Sequence, residues 1–245
     1  MATNVHADHV AEANRALARS AVYCLLSQVF AYPTPAVATQ LLEEDLPFAL
    51  AVSAPLTEPV RRALAGVASA LENQTPESLE SAYRAVFSHV HSVDCPMFET
   101  DYTVRDVWKQ TRELADLGGF YRAFGLEEQG ERADNVSAEL EFLHLVSYKE
   151  AWAMVRDEEE HRETCREAEE AFLRDHLLTW VPGFALRAKA LAGDGPYAAA
   201  GALAGEFLRA EARAFGLEIV EEVEIPERSP DERAVEETAL CEGES

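Results

Sequence analysis

The chain has four cysteines, Cys24, Cys95, Cys165 and Cys241, far apart and with no Cys-x-x-Cys pair. That spacing argues against a disulfide frame or a zinc ribbon and fits reduced thiols in the cytoplasm. No uninterrupted apolar stretch is long enough to cross a bilayer, so no membrane insertion is expected. The opening Met1-Ala-Thr-Asn-Val-His-Ala-Asp-His9 lacks a basic segment followed by an apolar run, so no signal peptide is expected. A Gly-rich phosphate loop, a Gly-x-Ser-x-Gly elbow and a His-Glu-x-x-His pair are all missing, so three common signatures of enzymes are absent. Strict apolar–polar alternation is missing too, and β-branched and aromatic residues are modest, which disfavours strands.

Positive charge is the other scarcity. Lysine occurs only at 109, 149 and 189, and the net charge is −24. Residues 218–245 hold eleven acids against two arginines, so −9 lies in that tail and −15 in the rest. Such a field repels phosphate backbones and anionic membranes; no nucleic acid is expected as a partner, whereas a cationic peptide is a natural one.

What is present is helix punctuation. Apolar residues are 48% of the chain, enough for a substantial core. A stripe of Val10, Ala13, Leu17, Ala21, Leu25 and Val29 predicts a helix over 8–31 with Asp8 as its cap. Thr34-Pro35, Thr57-Glu58-Pro59 and Thr75-Pro76-Glu77 repeat one start signal, the last two opening helices to about Asn73 and His91. Further helices are expected over Val104–Phe124, with a bend or close crossing at Gly118-Gly119, from Asp134 or Asn135 onward, and over Asp157–Trp180. Pro182-Gly183 is expected to break the chain before a short helix to Leu191, and a last helix should end at Phe215 with Gly216 beyond it. The fold expected is all-α, about nine or more helices in one domain over 1–225, followed by an acidic disordered tail over 226–245.

Cys95-Pro96-Met97-Phe98-Glu99-Thr100-Asp101-Tyr102-Thr103 is a Pro-ordered aromatic loop, and Asp134-Asn135-Val-Ser-Ala-Glu139-Leu140-Glu141-Phe142 opens a helix. Glu99, Asp101, Asp134, Glu139 and Glu141 beside aromatic residues suggest a recognition surface rather than a reaction centre. Cys95 has no cation near it in sequence to depress its pKa and reads as a small buried residue. His89 and His91 read as the last turn of a helix, where a positive ring suits the dipole. A competing reading takes Glu141-x-x-His144 and Glu158-x-x-His161 as the two Glu-x-x-His elements of a ferritin-like di-metal carboxylate protein.

These motifs resemble the TorD/DmsD/NarJ family of molybdoenzyme maturation chaperones. They are most similar to the delta-type chaperones of periplasmic enzymes such as ethylbenzene dehydrogenase, dimethylsulfide dehydrogenase and selenate reductase. Tyr83-Arg-Ala-Val86-Phe87 is similar to the family's aromatic-x-x-Leu-Phe signature. The 95–103 run resembles its Cys-Pro-Leu-Tyr-Glu-Thr-Glu-Tyr box, and 134–142 its Asp-His-x-x-x-Glu-Leu-Glu-Phe element, with Asn135 in place of the usual histidine. The resemblance implies a TorD-like helical bundle without catalytic, metal or cofactor residues of its own. Its partner would be the apo catalytic subunit of a molybdopterin oxidoreductase, bound in the cytoplasm before twin-arginine export, in some cases through the leader. Glu99, Asp101, Tyr102, Asp134, Asn135 and Glu139 would line the peptide site, with Tyr83 and Phe87 supporting it.

Overall fold

In a computed structural model the described residues exclude Met1, 89–91, 93, 105–106, 128–131 and 221–245, together with the side chains of 2–8 and 107. His89, His91 and the 226–245 tail therefore lie outside the described residues.

Eleven α-helical segments are present among the described residues and there is no strand: α1 (Ala2–Phe30), α2 (Pro35–Gln40), α3 (Leu46–Val52), α4 (Glu58–Leu71), α5 (Pro76–Phe87), α6 (Glu99–Thr103), α7 (Val107–Ala123), α8 (Val136–Val155), α9 (Glu159–Phe172), α10 (Leu178–Leu191) and α11 (Pro196–Phe215). One-turn π segments at Leu41–Asp45 and Leu173–Leu177 fuse α2 to α3 and α9 to α10. The all-α expectation holds.

Helix starts follow the sequence signals unevenly. Thr34 Oγ1 accepts from the Val37 amide, and Thr75 and Ser78 form a reciprocal capping box that satisfies two end donors. Thr57 occupies the same position without a side-chain cap bond. α1 begins at Ala2 rather than at Asp8, and Val10 is exposed, while Ala13, Ala21, Leu25 and Val29 of the expected stripe are buried. α5 stops at Phe87, where Ser88 takes a positive φ of 65°. The 104–124 segment is shorter than expected: Val104 is extended and caps α6, a turn of helix that the sequence pattern did not reveal. α7 runs through Gly118 and Gly119 without interruption.

Pro182 does not break the chain but lies inside α10. A proline lacks the amide that would bond the carbonyl four residues back, here Leu178. The Val220 N–H donates to that carbonyl instead, at 3.4 Å, and the π turn just upstream absorbs the change in phase. At the other end of the pattern Gly216 adopts φ 69° past the end of α11, as its position predicts.

One cluster of buried side chains connects the helices. α1 packs chiefly on α8, α8 on α9, α10 on α11, and α11 on α4. Within it, Arg19 of α1 is 6% exposed and is surrounded by three carboxylates. Its Nε donates to both Glu211 oxygens at 2.9 Å, its Nη1 to Glu150 at 3.0 Å, and its Nη2 to Glu169. The Tyr23 hydroxyl donates to Glu211 at 2.8 Å. Four long helices are thereby joined at one guanidinium, whose planar set of donors suits several carboxylates at once.

Candidate functional site

The 95–103 loop is held against the start of α8 by a short antiparallel bridge between Phe98 and Asn135. Glu99 N donates to Asp134 O, and Val136 N donates to Met97 O, each at 2.9 Å. Asn135 caps α8, its Oδ1 accepting from Ser137 N at 2.9 Å. Asp134 supports the other strand of the bridge: its Oδ2 accepts from Thr100 N at 3.3 Å and from Thr100 Oγ1 at 2.7 Å, satisfying the first turn of α6. Arg132 then binds Asp134 in a bidentate pair at 3.0 and 2.8 Å, with its guanidinium over the Phe98 ring.

Aromatic residues support this frame. The Tyr102 hydroxyl donates to Pro96 O at 2.9 Å and its ring lies against Trp180. Tyr83 reaches the Met97 sulfur at 3.0 Å, and Phe87 stacks on Phe184, whose carbonyl lies 3.9 Å from the Cys95 sulfur. Cys95 is fully buried and burial pushes its thiol up to about 12, so it is no nucleophile at neutral pH.

The motif residues thus come together, but beneath the surface rather than on it. Glu99, Asp134 and Glu139 are 1%, 0% and 0% exposed, and Tyr83, Phe87, Tyr102 and Asn135 are buried as well. Asp101, two positions after Glu99 in α6, is half-buried, and Glu141 is exposed. The acids open to solvent nearby are the half-buried Glu113 and the exposed Asp116 of α7.

Two buried side chains that the sequence motifs did not single out complete the site. His176, 1% exposed in the π turn after α9, places Nδ1 3.1 Å from Glu99 Oε2 and Nε2 3.2 Å from Asp116 Oδ2. The ring lies against Phe120 and Phe172. Burial works against a charged imidazole, but Glu99 and then Asp116 outweigh it and hold its pKa up. Trp180 Nε1 donates to Glu139 Oε2 at 3.0 Å. Burial, reinforced by the charge of Glu99, drives the Glu139 carboxyl well above the usual range. Burial also raises Glu99, against the pull of His176. In the sequence both residues fall within the helix expected over Asp157–Trp180, with no motif of their own to mark them.

The di-metal alternative is overturned. His144 binds Ser20 through Nδ1, Glu141 is exposed, and Glu158 and His161 pair with each other on the outer face at the start of α9. These four residues do not form one donor group among the described residues. A shallow cleft between α10 and α11, lined by Pro182, Ala185, Gly201 and Gly205 under Ile219, shares none of the residues of the acidic site. No described helix is long and apolar enough to cross a membrane.

Comparison with known proteins gives two relatives. The "perchlorate reductase assembly chaperone protein" of Dechloromonas aromatica (strain RCB) is 40% identical over 72 residues, 28% of this chain and 31% of that protein, so the match spans less than a third of its length. The "selenate reductase assembly chaperone protein" of Thauera selenatis is 29% identical over 196 residues, 79% of this chain and 88% of that protein. The model of the nitrate reductase delta subunit family matches residues 53–186, more than half of the chain and the whole of the site from Tyr83 to Trp180. With the helical bundle and the two motif segments paired as described, the chain is a member of the nitrate reductase delta subunit family, the TorD/NarJ-type chaperones.

Proposed function

We propose that this protein is an assembly chaperone, not an enzyme, for the catalytic subunit of a molybdenum-cofactor oxidoreductase. It holds the cofactor-free subunit in the cytoplasm until loading is complete and twin-arginine export can follow. The observation that carries this reading is the similarity, along most of both chains, to a relative named as a reductase assembly chaperone. The half-buried Asp101 and Glu113 and the exposed Asp116 support a cationic client segment such as a leader, while Glu99, Asp134 and Glu139 are buried beneath the surface. A net −15 outside the tail steers such a segment over distances longer than any single contact.

The test is recovery of the tagged chain from its own host, grown anaerobically with molybdate. A molybdopterin oxidoreductase catalytic subunit should co-purify, in its cofactor-free form. Recovery of the chain without such a partner, under conditions where the oxidoreductases are made, would count against the reading. A leader peptide of the recovered partner, titrated at two salt concentrations, should bind more weakly at high salt. A variant ending near residue 226 should bind it as the full chain does.

A further inference from the structure

We infer that Glu99, Glu113 and His176 form a binding site for one first-row divalent cation of the zinc or manganese class. Each offers one donor atom, and the three atoms lie within 4.8 Å of one another. Glu99 and His176 are already at ligand spacing. Their 3.1 Å contact is a hydrogen bond across the Nδ1 proton; a cation takes the place of that proton, which is released to solvent on binding, and the spacing is close to the roughly 3.3 Å between neighbouring ligands when zinc bonds are about 2.0–2.1 Å. Glu113, half-buried on α7, is the donor free to close the remaining gap.

Two further features point to a cation. Buried carboxylates are ordinarily paired with cations or bound to metals. Here Glu99, Asp134 and Glu139 are all buried; Arg132 is committed to Asp134, and the one His176 ring is shared between Glu99 and Asp116. Glu139 Oε1 is buried and has no hydrogen-bond partner, although Oε2 is held by Trp180. A divalent cation held by Glu99 brings positive charge into this buried acidic cluster. The second feature is Asp116, which receives the other ring nitrogen of His176 at 3.2 Å. A carboxylate behind the imidazole is the arrangement that fixes ring orientation in histidine–metal sites. One imidazole with two carboxylates is a mixed nitrogen–oxygen set, which selects zinc, manganese or ferrous iron over copper(I) or calcium.

The inference concerns the chain alone, so it is tested without a client and its failure is separate from failure of the chaperone reading. The full-length protein, stripped with chelator, is titrated with Zn²⁺ and with Mn²⁺ against a chromophoric competitor. One equivalent of at least one of them should bind at micromolar or tighter affinity. Glu113→Gln should weaken that binding by tenfold or more and Asp116→Asn by about 10–100-fold. Glu141→Gln, an exposed acid outside the set, should leave it unchanged. Glu113 and Asp116 are not core residues, so circular dichroism and melting curves should show these variants folded. His176→Gln is added, and the Co²⁺ absorption spectrum of the wild type should lose its ligand-field bands in it. Substoichiometric binding of both ions would overturn the assignment. So would binding that Glu113→Gln and His176→Gln leave intact, as expected if the metal sits on other histidines or cysteines.

Discussion

Asp134 is the residue on which the two motif segments depend, and its weight lies more in hydrogen bonds than in its ion pair. Removing it strips acceptors from the Thr100 amide and hydroxyl, both buried, and frees the start of α6. Leaving such donors unmet costs about 1–3 kcal/mol, so Asp134→Ala should lower the unfolding free energy in urea by that amount. Asp134→Asn keeps one acceptor and should lose less. Arg132→Ala should cost less, about 1 kcal/mol, because Asp134, although fully buried, keeps its two Thr100 donors and water can enter where the 44% exposed arginine side chain lay. Equal losses from Asp134→Ala and Arg132→Ala would mean that the ion pair, not the α6 cap, is what matters. The neighbouring Asn135 should behave as an ordinary helix cap, with Asn135→Ala costing about 1 kcal/mol.

At the scale of elements, two helical glycines make opposite demands. Gly201 of α11 faces α10 so closely that a Cβ would lie 2.5 Å from Ala185 O and 3.1 Å from Lys189 N. Gly201→Ala must push the two helices apart and should destabilise by about 1–3 kcal/mol. Gly66, inside α4, meets nothing within 4 Å, so Gly66→Ala should stabilise by about 0.5–1 kcal/mol through helix propensity alone. Thermal melts of the two variants should move in opposite directions. Much of this layer was legible in the sequence: Thr34 and Thr75 start helices, and Gly216 ends one, where their chemistry predicts. Misreadings occur where a tertiary contact replaces a local one. Pro182 looks like a break until the Val220 amide, 38 positions later, is seen bonding the carbonyl that the proline leaves free. The π turn at 173–177 shifts the helical phase, so a 3.6-residue pattern cannot show that His176 meets Glu99. The Cys95 and Asp134 segments could be matched as motifs, but their acids looked exposed because a polar residue in a loop carries no sequence sign of burial.

For the whole molecule the least legible feature is also the most consequential. Arg19 meets Glu150, Glu169 and Glu211 across 131, 150 and 192 positions of sequence, a separation no local pattern can reveal. Three carboxylates around one buried guanidinium carry excess negative charge, with Tyr23 and the more exposed Arg166 as further partners. Burial is the main cause that raises Glu169, the fully buried member, to about 7, beyond what the pull of Arg19 offsets. In the unfolded chain the same glutamate titrates near its ordinary value of 4.5. Between those two pH values the folded protein holds one proton more than the unfolded chain, so raising the pH favours unfolding. The contribution of Glu169 is fully present below about pH 4.5 and is gone above about pH 7, at roughly 1.4 kcal/mol per pH unit traversed. Other carboxylates add their own slopes, and repulsion within a chain of net charge −24 grows with pH as well, so the wild-type profile alone is not decisive. Glu169→Gln mimics the protonated side chain and isolates the effect. Urea unfolding of both proteins between pH 5 and pH 8 should give similar stabilities at the acid end, within about 1 kcal/mol. The wild type should then fall away from the variant by a few kcal/mol as the pH rises. Parallel profiles would place the trapped proton elsewhere or show that the cluster opens to water; a variant that loses stability only at high pH would reverse the sign argued here.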